Sequence, residues 1–380
     1  MSKTITIIGD VMLGRIIGSK YSKRPYQIVS DDIIEKARNS DFVIANLESP
    51  VVKNAVTEGD HMQFKGNPDI LQQLKWIDAF SLANNHINDC GTLGMDETTS
   101  ILERHGFKHN GLFKEGYKPL LIDNEENKIA IITITDMLNI PIATDCKWDI
   151  LRVGEARVLE MLKKLHEENF CVILFAHIGI LFSRYPNPIT YEYLHQCADN
   201  GADIIVTTHS HCLGCMETYK GKPIFHSLGD FVMDGNSFRR RKSGMLKLTI
   251  ERRNVINWEI IPTEINLNYE TISPTKSITQ KMLRDFGNVS KQLESHSDNY
   301  ASFFKWQYKK EMVIHTCSTL SFLTKTRGVA GTLKMIFKRF EEVLRMFKWM
   351  TKDRTNDQRD DETVRPGRKK ITEEELFNGI

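Results

Sequence analysis

Residues 201–214 read GADIIVTTHSHCLG. The β-branched run over 204–208 suits a strand whose two faces are both covered, and it leads directly into His209 and His211. If residues 208–212 continue extended, the two imidazoles project to the same side. Two histidines on one side, with no acid nearby in sequence to pair them, are hard to explain as packing and suit Zn, Fe or Mn. The same figure, an apolar strand that ends in polar residues, recurs along the first 265 residues. Strands are expected at 3–8, 42–45, 79–83, 129–135, 171–176, 203–207, 222–225, 245–250 and 258–262. Helices are expected at 31–39, 68–76, 94–104, 154–169 and 190–200, the last with Tyr191, Leu194, His195 and Ala198 on one face. This alternation defines an α/β or α+β layered domain.

The whole chain has 380 residues, 41% of them apolar and 26% charged, which are ordinary globular values. A chain of this size needs no disulfide or metal staple to fold. Its 51 Lys and Arg against 49 Asp and Glu give a net charge of +2. That balance, with no basic–aromatic stripe, argues against long nucleic acid as a partner. Seven scattered cysteines are unlike a secreted disulfide framework, and Cys212 and Cys215 are expected as small buried thiols. No apolar run approaches the roughly 20 residues that span a bilayer. The N-terminal stretch MSKTITIIGDVMLGR reads into a strand rather than a signal peptide, so a cytoplasmic location is expected.

Beyond about residue 266 the texture changes to Ser, Lys, Gln and Asn with helix-like periods. The clearest stripe is Leu333, Ile336, Phe337, Phe340, Leu344 and Phe347, with Lys334, Lys338, Arg339, Arg345 and Lys348 on or beside the polar side. A helix packed on its own domain or on a partner is the main expectation, and a membrane-surface helix over 333–348 is the alternative. The expected organisation is a domain over 1–265, a helical extension over 266–350 and a disordered charged tail over 351–380.

Chemistry gathers at the strand ends. Asp10 follows the first strand in IIGDVMLGR, with Arg15 placed to meet an anion. Asn46 and Glu48 leave the second in ANLESP and can offer oxygen to a cation. Asn84, Asn85, His86, Asn88 and Asp89 crowd into six positions of ANNHIND, and His86 is a candidate general acid. His177 ends the run CVILFAH, and His226, Ser227, Asp230 and Asp234 surround a later strand end. No Walker-type loop, GxSxG or HExxH occurs. Taken together, these residues form a mixed oxygen and nitrogen set sufficient for two cations. Two such ions roughly 3.5–4 Å apart can activate water and hold a phosphoryl group.

The blocks GDVMLGR, NLESP, ANNHINDCGTLGMDETTSILERHGFKHNG, AHIG, GADIIVTTHSH and GKPIFHSLGDFVMD resemble, in the same order, those of the CapA family of capsule or poly-γ-glutamate synthesis proteins. The resemblance covers roughly residues 4–235. It implies a four-layer sandwich of two mixed β-sheets flanked by helices, of the metallophosphoesterase type. It also implies two divalent ions, Mn, Fe or Zn, with Asp10, Glu48 (or Asn46), Asn85, His177, His209 and His211 as ligands. His86 and Asn85 would be catalytic, and Arg15, Asn46, Asn84, Asp89 and Asp230 would meet substrate. Departures from the family pattern surround these positions. Met12 stands where a D-x-H motif has His, residues 177–181 read HIGIL rather than HWGxE, and residues 207–214 lack the Gly, Pro and Gln of GxHPHxxQ.

The expected function is a metal-dependent hydrolase acting on a phosphoester, secondarily an amide, of an anionic surface polymer or its phosphorylated precursor. Two alternatives are a non-catalytic component that binds polymer or capsule-assembly proteins, and a small-nucleotide phosphodiesterase. Many relatives carry an N-terminal membrane anchor. Without one, contact with the inner face of a membrane would fall to residues 333–348.

Overall fold

A computed structural model describes residues 2–55, 63–123, 128–144 and 146–338. In chain order the elements begin with β1 (Lys3–Val11), α1 (Arg15–Lys23), α2 (Asp31–Arg38), β2 (Phe42–Leu47), a 3-10 helix over Pro68–Leu74, and β3 (Ala79–Ser81). Next come α3 (Gly91–Arg104), β4 (Lys108–Asn110), β5 (Leu112–Phe113), β6 (Leu120–Asp123), β7 (Lys128–Thr135) and β8 (Asp149–Ile150). They are followed by α4 (Ala156–Glu167), β9 (Cys171–His177), α5 (Pro188–Asp199), β10 (Ile204–Thr208), β11 (Met216–Tyr219), β12 (Lys222–Phe225) and β13 (Asp230–Val232). The described chain ends with β14 (Lys242–Glu251), β15 (Asn254–Ile265), β16 (Thr271–Ile272), α6 (Lys276–Glu294) and α7 (Tyr300–Lys338), the last broken at Gly328, where φ is 72° and ψ 171°.

Two mixed sheets form the centre. The first runs β16-β15-β14-β1-β2-β3-β4, with β13 beside the end of β1. Its strands β1 to β4 are parallel, and β14 joins β1 antiparallel. The second runs β11-β12-β10-β9-β7-β6, parallel in the middle and antiparallel at both edges. Strand alternation decides what each side chain touches. Ile5 and Ile7 of β1, Ile44 of β2, Ile129 and Ile131 of β7, Ile173 and Phe175 of β9, and Ile204 and Val206 of β10 meet in one core between the sheets. Their neighbours point the other way. Ile8, Val43 and Ala45 pack with Ile17, Ile33, Ile101 and Leu102 of α1, α2 and α3. Val172, Leu174 and Ile205 pack with Leu162, Leu194 and Ala198 of α4 and α5. The protein is therefore a four-layer helix–sheet–sheet–helix sandwich, and its near-continuous apolar strands reflect burial on both faces.

The helices beyond residue 265 pack against this sandwich. Phe286 of α6 joins the inter-sheet core, and Val289 and Leu293 meet Tyr185, Tyr191, Phe303 and Phe304 in a separate cluster. Of the amphipathic stripe read from sequence, Leu333 is exposed. The remaining side chains of that stripe and the whole 351–380 tail lie outside the described residues. The sequence reading did not expect α1, β4, β5, β6, β8, β11 or β13, and two further departures have local causes. Residues 68–74 form a 3-10 rather than an α-helix, with Pro68 at the start and the Asn67 side chain accepting from the Asp69 N–H. The two-residue strand β16 was not expected; it pairs antiparallel with Glu264 and Ile265 of β15, while the Thr271 backbone also donates to the Ile28 carbonyl and accepts from the Ser30 N–H.

Candidate metal centre

All five parallel strands that approach the site end at the same edge of the sandwich, and a polar residue leaves each. Asp10 is the eighth residue of β1, next to a register shift at Gly9 that re-aims the strand. A Cβ on Gly9 would lie 2.1 Å from the Gly229 carbonyl oxygen, so only glycine allows the Ser227–Asp230 turn to approach this closely. The Asp10 N–H donates to that carbonyl at 3.1 Å, which brings β1 and β13, and hence Asp10 and Asp230, side by side. Asn46 is on β2, Glu48 directly after it, His177 at the end of β9, and His209 and His211 just past β10.

His209 and His211 do not stand on an extended segment. Their φ angles are +95° and +59°, and nearby Phe182 and Ser227 also take positive φ. Non-glycine residues in this region are costly and cluster where the surrounding structure over-determines the backbone. The outcome is still convergence, reached by a left-handed turn rather than by strand alternation.

Two overlapping triads result, Glu48 with His177 and His209, and Asp10 with Glu48 and His211, each with ligand atoms within 4.8 Å of one another. Glu48 belongs to both. Its carboxylate is fully buried, and neither oxygen has a hydrogen-bond partner. His177 Nε2 lies 3.6 Å from Glu48 Oε1, His211 Nε2 3.9 Å and His86 Nε2 4.0 Å. The Asn85 side-chain oxygen lies 2.8 Å and His209 Nδ1 3.0 Å from His177 Nε2. His177 Nδ1 faces the Thr208 hydroxyl at 2.9 Å and the donating Asn46 amide nitrogen at 3.0 Å, so it accepts, and the ring proton on Nε2 points to the Asn85 oxygen. Nε2 would ligate a cation once that proton moves to Nδ1. The two Glu48 oxygens have no donor among these neighbours, and a cation between them and the imidazoles would compensate their burial.

Electrostatics follow the same logic. Burial raises the Glu48 pKa, and the charges of Asp10 and Asp230 push it further, well above the usual carboxylate range. A neutral Glu48 would still need an acceptor for its proton, and no partner is there. Burial also opposes the charge on Asp10, but hydrogen bonds and charge from His177 and His211 outweigh it and hold the carboxyl well below its ordinary value. Burial lowers His177, and lowers His209 further with help from the neighbouring imidazoles. His211 is the exception. Burial disfavours its charge, yet Asp230 and Glu48 push it up to about 10. Neutral imidazoles beside carboxylates are the protonation states that ligate divalent cations. The donor set of carboxylate, imidazole and amide oxygen thus fits such an ion, which Asp10, Glu48, Asn85, His177 and His209 would hold, with His211 joining them once its Nε2 gives up its proton while Asp230 keeps Nδ1.

A second ring of contacts positions these groups. Asn46 donates to Asp10 Oδ1 at 2.8 Å and contacts His177 Nδ1 at 3.0 Å. Asn84 donates to Asn46 and to the Leu47 carbonyl, and its oxygen accepts from the His86 N–H. Asp89 accepts from His86 Nδ1 at 2.6 Å, while Phe64 stacks on the His86 ring at 3.8 Å. Asp230 pairs with His211 Nδ1 at 2.7 Å and with Arg240. Arg15 sits at the rim, paired with Asp234 at 3.2 Å and over the Phe64 ring.

Three contributors were not read from sequence. Asn139, in the loop after β7, accepts from Asn85 and reaches both ring nitrogens of His86 at 3.1 and 3.2 Å. Thr208 orients His177, and Arg240 braces Asp230. The consecutive Arg239, Arg240 and Arg241 were an available signal. Each arginine reaches different acceptors, Glu311, Asp230 and the backbone carbonyls of Gly235 and Ile265, respectively, and Nη2 of Arg241 is left buried without a partner. Cys212 and Cys215 are buried free thiols outside both triads.

The fold is a four-layer sandwich whose buried carboxylates, amides and histidines gather at the ends of parallel strands. Residues 4–235 match the bacterial capsule synthesis protein family PGA_cap, and the chain belongs to that family. It is 26% identical over 292 residues to the PGA biosynthesis protein CapA of Bacillus subtilis, covering 73% of this chain and 76% of that protein. It is also 26% identical over 327 residues to the capsule biosynthesis protein CapA of Bacillus anthracis, covering 82% and 78%. Among solved structures, the sulfate thiohydrolase SoxB of Thermus thermophilus is similar with a TM-score of 0.38 and 13% identity, over 68% of this chain and 43% of that one.

Proposed function

We propose that the protein is a metal-dependent hydrolase that cleaves a phosphoester, secondarily an amide, of an anionic surface polymer or its phosphorylated precursor. The observation that carries this reading is Glu48, a fully buried carboxylate with both oxygens unpartnered at the point shared by two ligand triads. Family membership supports the biosynthetic context. A bound divalent cation supplies Lewis-acid activation of water and neutralises charge on phosphoryl oxygens.

The chain's own groups perform the remaining tasks. His86, its Nδ1–H held by Asp89 and its ring stacked on Phe64, gives its Nε2 proton to the leaving oxygen only as the imidazolium, a form that burial disfavours and Asp89 favours. Asn139 bridges Asn85 and His86, so the amide and the acid move as one unit. Arg15, 40% exposed at the rim, offers its guanidinium to an arriving anion.

The test is elemental analysis of the purified protein beside a folded His209→Ala, His211→Ala double variant, followed by phosphomonoester and phosphodiester turnover. Expected are near-stoichiometric Mn, Fe or Zn in wild type, loss in the variant, and activity that follows metal content. Activity that persists in the folded, metal-free variant would refute the assignment.

One observation favours a second reading, a non-catalytic binding component. Met12 is fully buried, packed with Phe64, Met233 and Ile265, and its sulfur accepts from the Gly14 N–H at 3.0 Å. The position that supplies a histidine in D-x-H therefore contributes no imidazole. On this reading polymer retention would survive both chelation and the double substitution.

A further inference from the structure

α7 presents two chemically opposite faces. Inward, Phe303, Phe304, Met312, Phe322 and Leu323 are buried, and Glu311 is completely buried in ion pairs with Arg184 and Arg239. His315 stacks on Phe182 at 3.9 Å, and the Phe182 ring in turn leans against His211. Outward, Trp306, Val313 and Leu320, seven residues apart, are 61%, 54% and 38% exposed, with Ile314 beside them at 38%. Seven-residue spacing keeps one stripe on one side of a helix.

The charge on this element is one-sided. Glu311, turned inward, is the only acidic residue between 300 and 338. Lys309, Lys310, Lys325 and Arg327 are exposed, with no exposed acid on the same helix to balance them. Lys310 lies over the Trp306 ring at 5.2 Å. An apolar stripe that includes a tryptophan, flanked only by cations, differs from a helix–helix seam, whose flanks carry both signs. It matches a helix that lies in a bilayer interface, where Trp and Leu enter the acyl boundary and Lys and Arg meet anionic headgroups. Among the described residues no helix is long and apolar enough to cross a membrane.

We infer that the outer face of α7 around Trp306, Lys310, Val313 and Leu320 docks the protein on an anionic lipid surface. The contact lies upstream of the 333–348 stripe and on the helix whose inner face touches the site loops.

Cys317 lies on this face and, among the described residues, is the only exposed cysteine, so the full chain can carry an environment-sensitive fluorophore there. The experiment is co-sedimentation and fluorescence with phosphatidylcholine vesicles, with and without about one-third phosphatidylglycerol. Expected are binding and a blue shift with the anionic vesicles alone. Lys309→Gln, Lys310→Gln should weaken binding about 25-fold, from about fivefold per basic side chain. Val313→Asp, Leu320→Asp should weaken it more than about tenfold, since each variant removes apolar insertion. Both variants change exposed positions, so metal content should match wild type. Any of three results would overturn the inference: no binding of wild type to anionic vesicles, binding indifferent to both variants, or a fluorophore already shielded without lipid. In the last case, light scattering assigns the cover to a second copy if the protein is a dimer, or to residues 339–380 of the same chain if it is a monomer.

Discussion

At the scale of single residues, Glu48 carries a burial cost that nothing among the described residues offsets. It combines full burial, two unpartnered oxygens and two neighbouring carboxylates. Glu48→Gln removes the charge at constant volume. With chelator present, the variant should be as stable as wild type or up to about 1–3 kcal/mol more stable. With Mn or Zn added the order should reverse, because wild type alone gains the ion. Denaturant midpoints of both proteins under both conditions test this crossing. Glu217 is the contrasting case. Burial opposes its charge, but His195 at 3.1 Å and His226 at 2.9 Å hold its pKa down to about 2. A depressed carboxylate contributes stability above its unfolded pKa and loses it as pH falls through the folded one. Glu217→Gln should therefore cost about 3 kcal/mol near neutral pH. The difference from wild type should shrink once the pH drops below about 4.5 and vanish near 2. Urea midpoints from pH 7 downward read it.

At the scale of elements, the site depends on how closely β1 approaches the turn before β13. Gly9→Ala places a Cβ against the Gly229 carbonyl and should force the two apart. A cost of about 1–3 kcal/mol is expected, with reduced metal content because Asp10 and Asp230 part company. Gly287→Ala in α6, where nothing lies within 4 Å, is the control. It should raise stability slightly and leave metal content unchanged. The attachment of α7 has its own test. Glu311→Ala strands Arg184 and Arg239 and should cost about 3–5 kcal/mol, and Glu311→Gln less, as measured by chemical denaturation.

At the scale of the whole molecule, ligand sets drawn from β1, β2, β9 and β10 span both sheets, so an ion bound there clamps the sandwich. An ion that binds the folded chain alone stabilises it by mass action, by about 2.7 kcal/mol at a hundredfold excess over its Kd. Thermal scans with cation and with chelator should differ accordingly, and the Glu48→Gln protein should show no difference. Equal midpoints in wild type would place the triads outside any metal-binding role.

The two-sheet core was legible because β-branched runs and helical stripes alternate so regularly. Residues such as Ile173 and Val172 declare burial on both faces of a strand without naming a partner. Asp10, Glu48, Asn85, His177, His209 and His211 were legible because ligand-type residues stood directly after apolar runs, where a parallel sheet collects strand ends at one edge. Asn139 and Thr208 were not, since an amide in a loop and a threonine in a strand have ordinary local roles. Only their distances to His86 and His177 separate them from other residues of their type. The same holds for the left-handed backbone at His209 and His211 and for the inward turn of Glu311. Local chemistry writes patterns of period two and 3.6 into a chain, and these reveal elements and the groups at their ends. Contacts between groups 31 to 127 residues apart leave no such period, and packing of the finished layers alone brings them together.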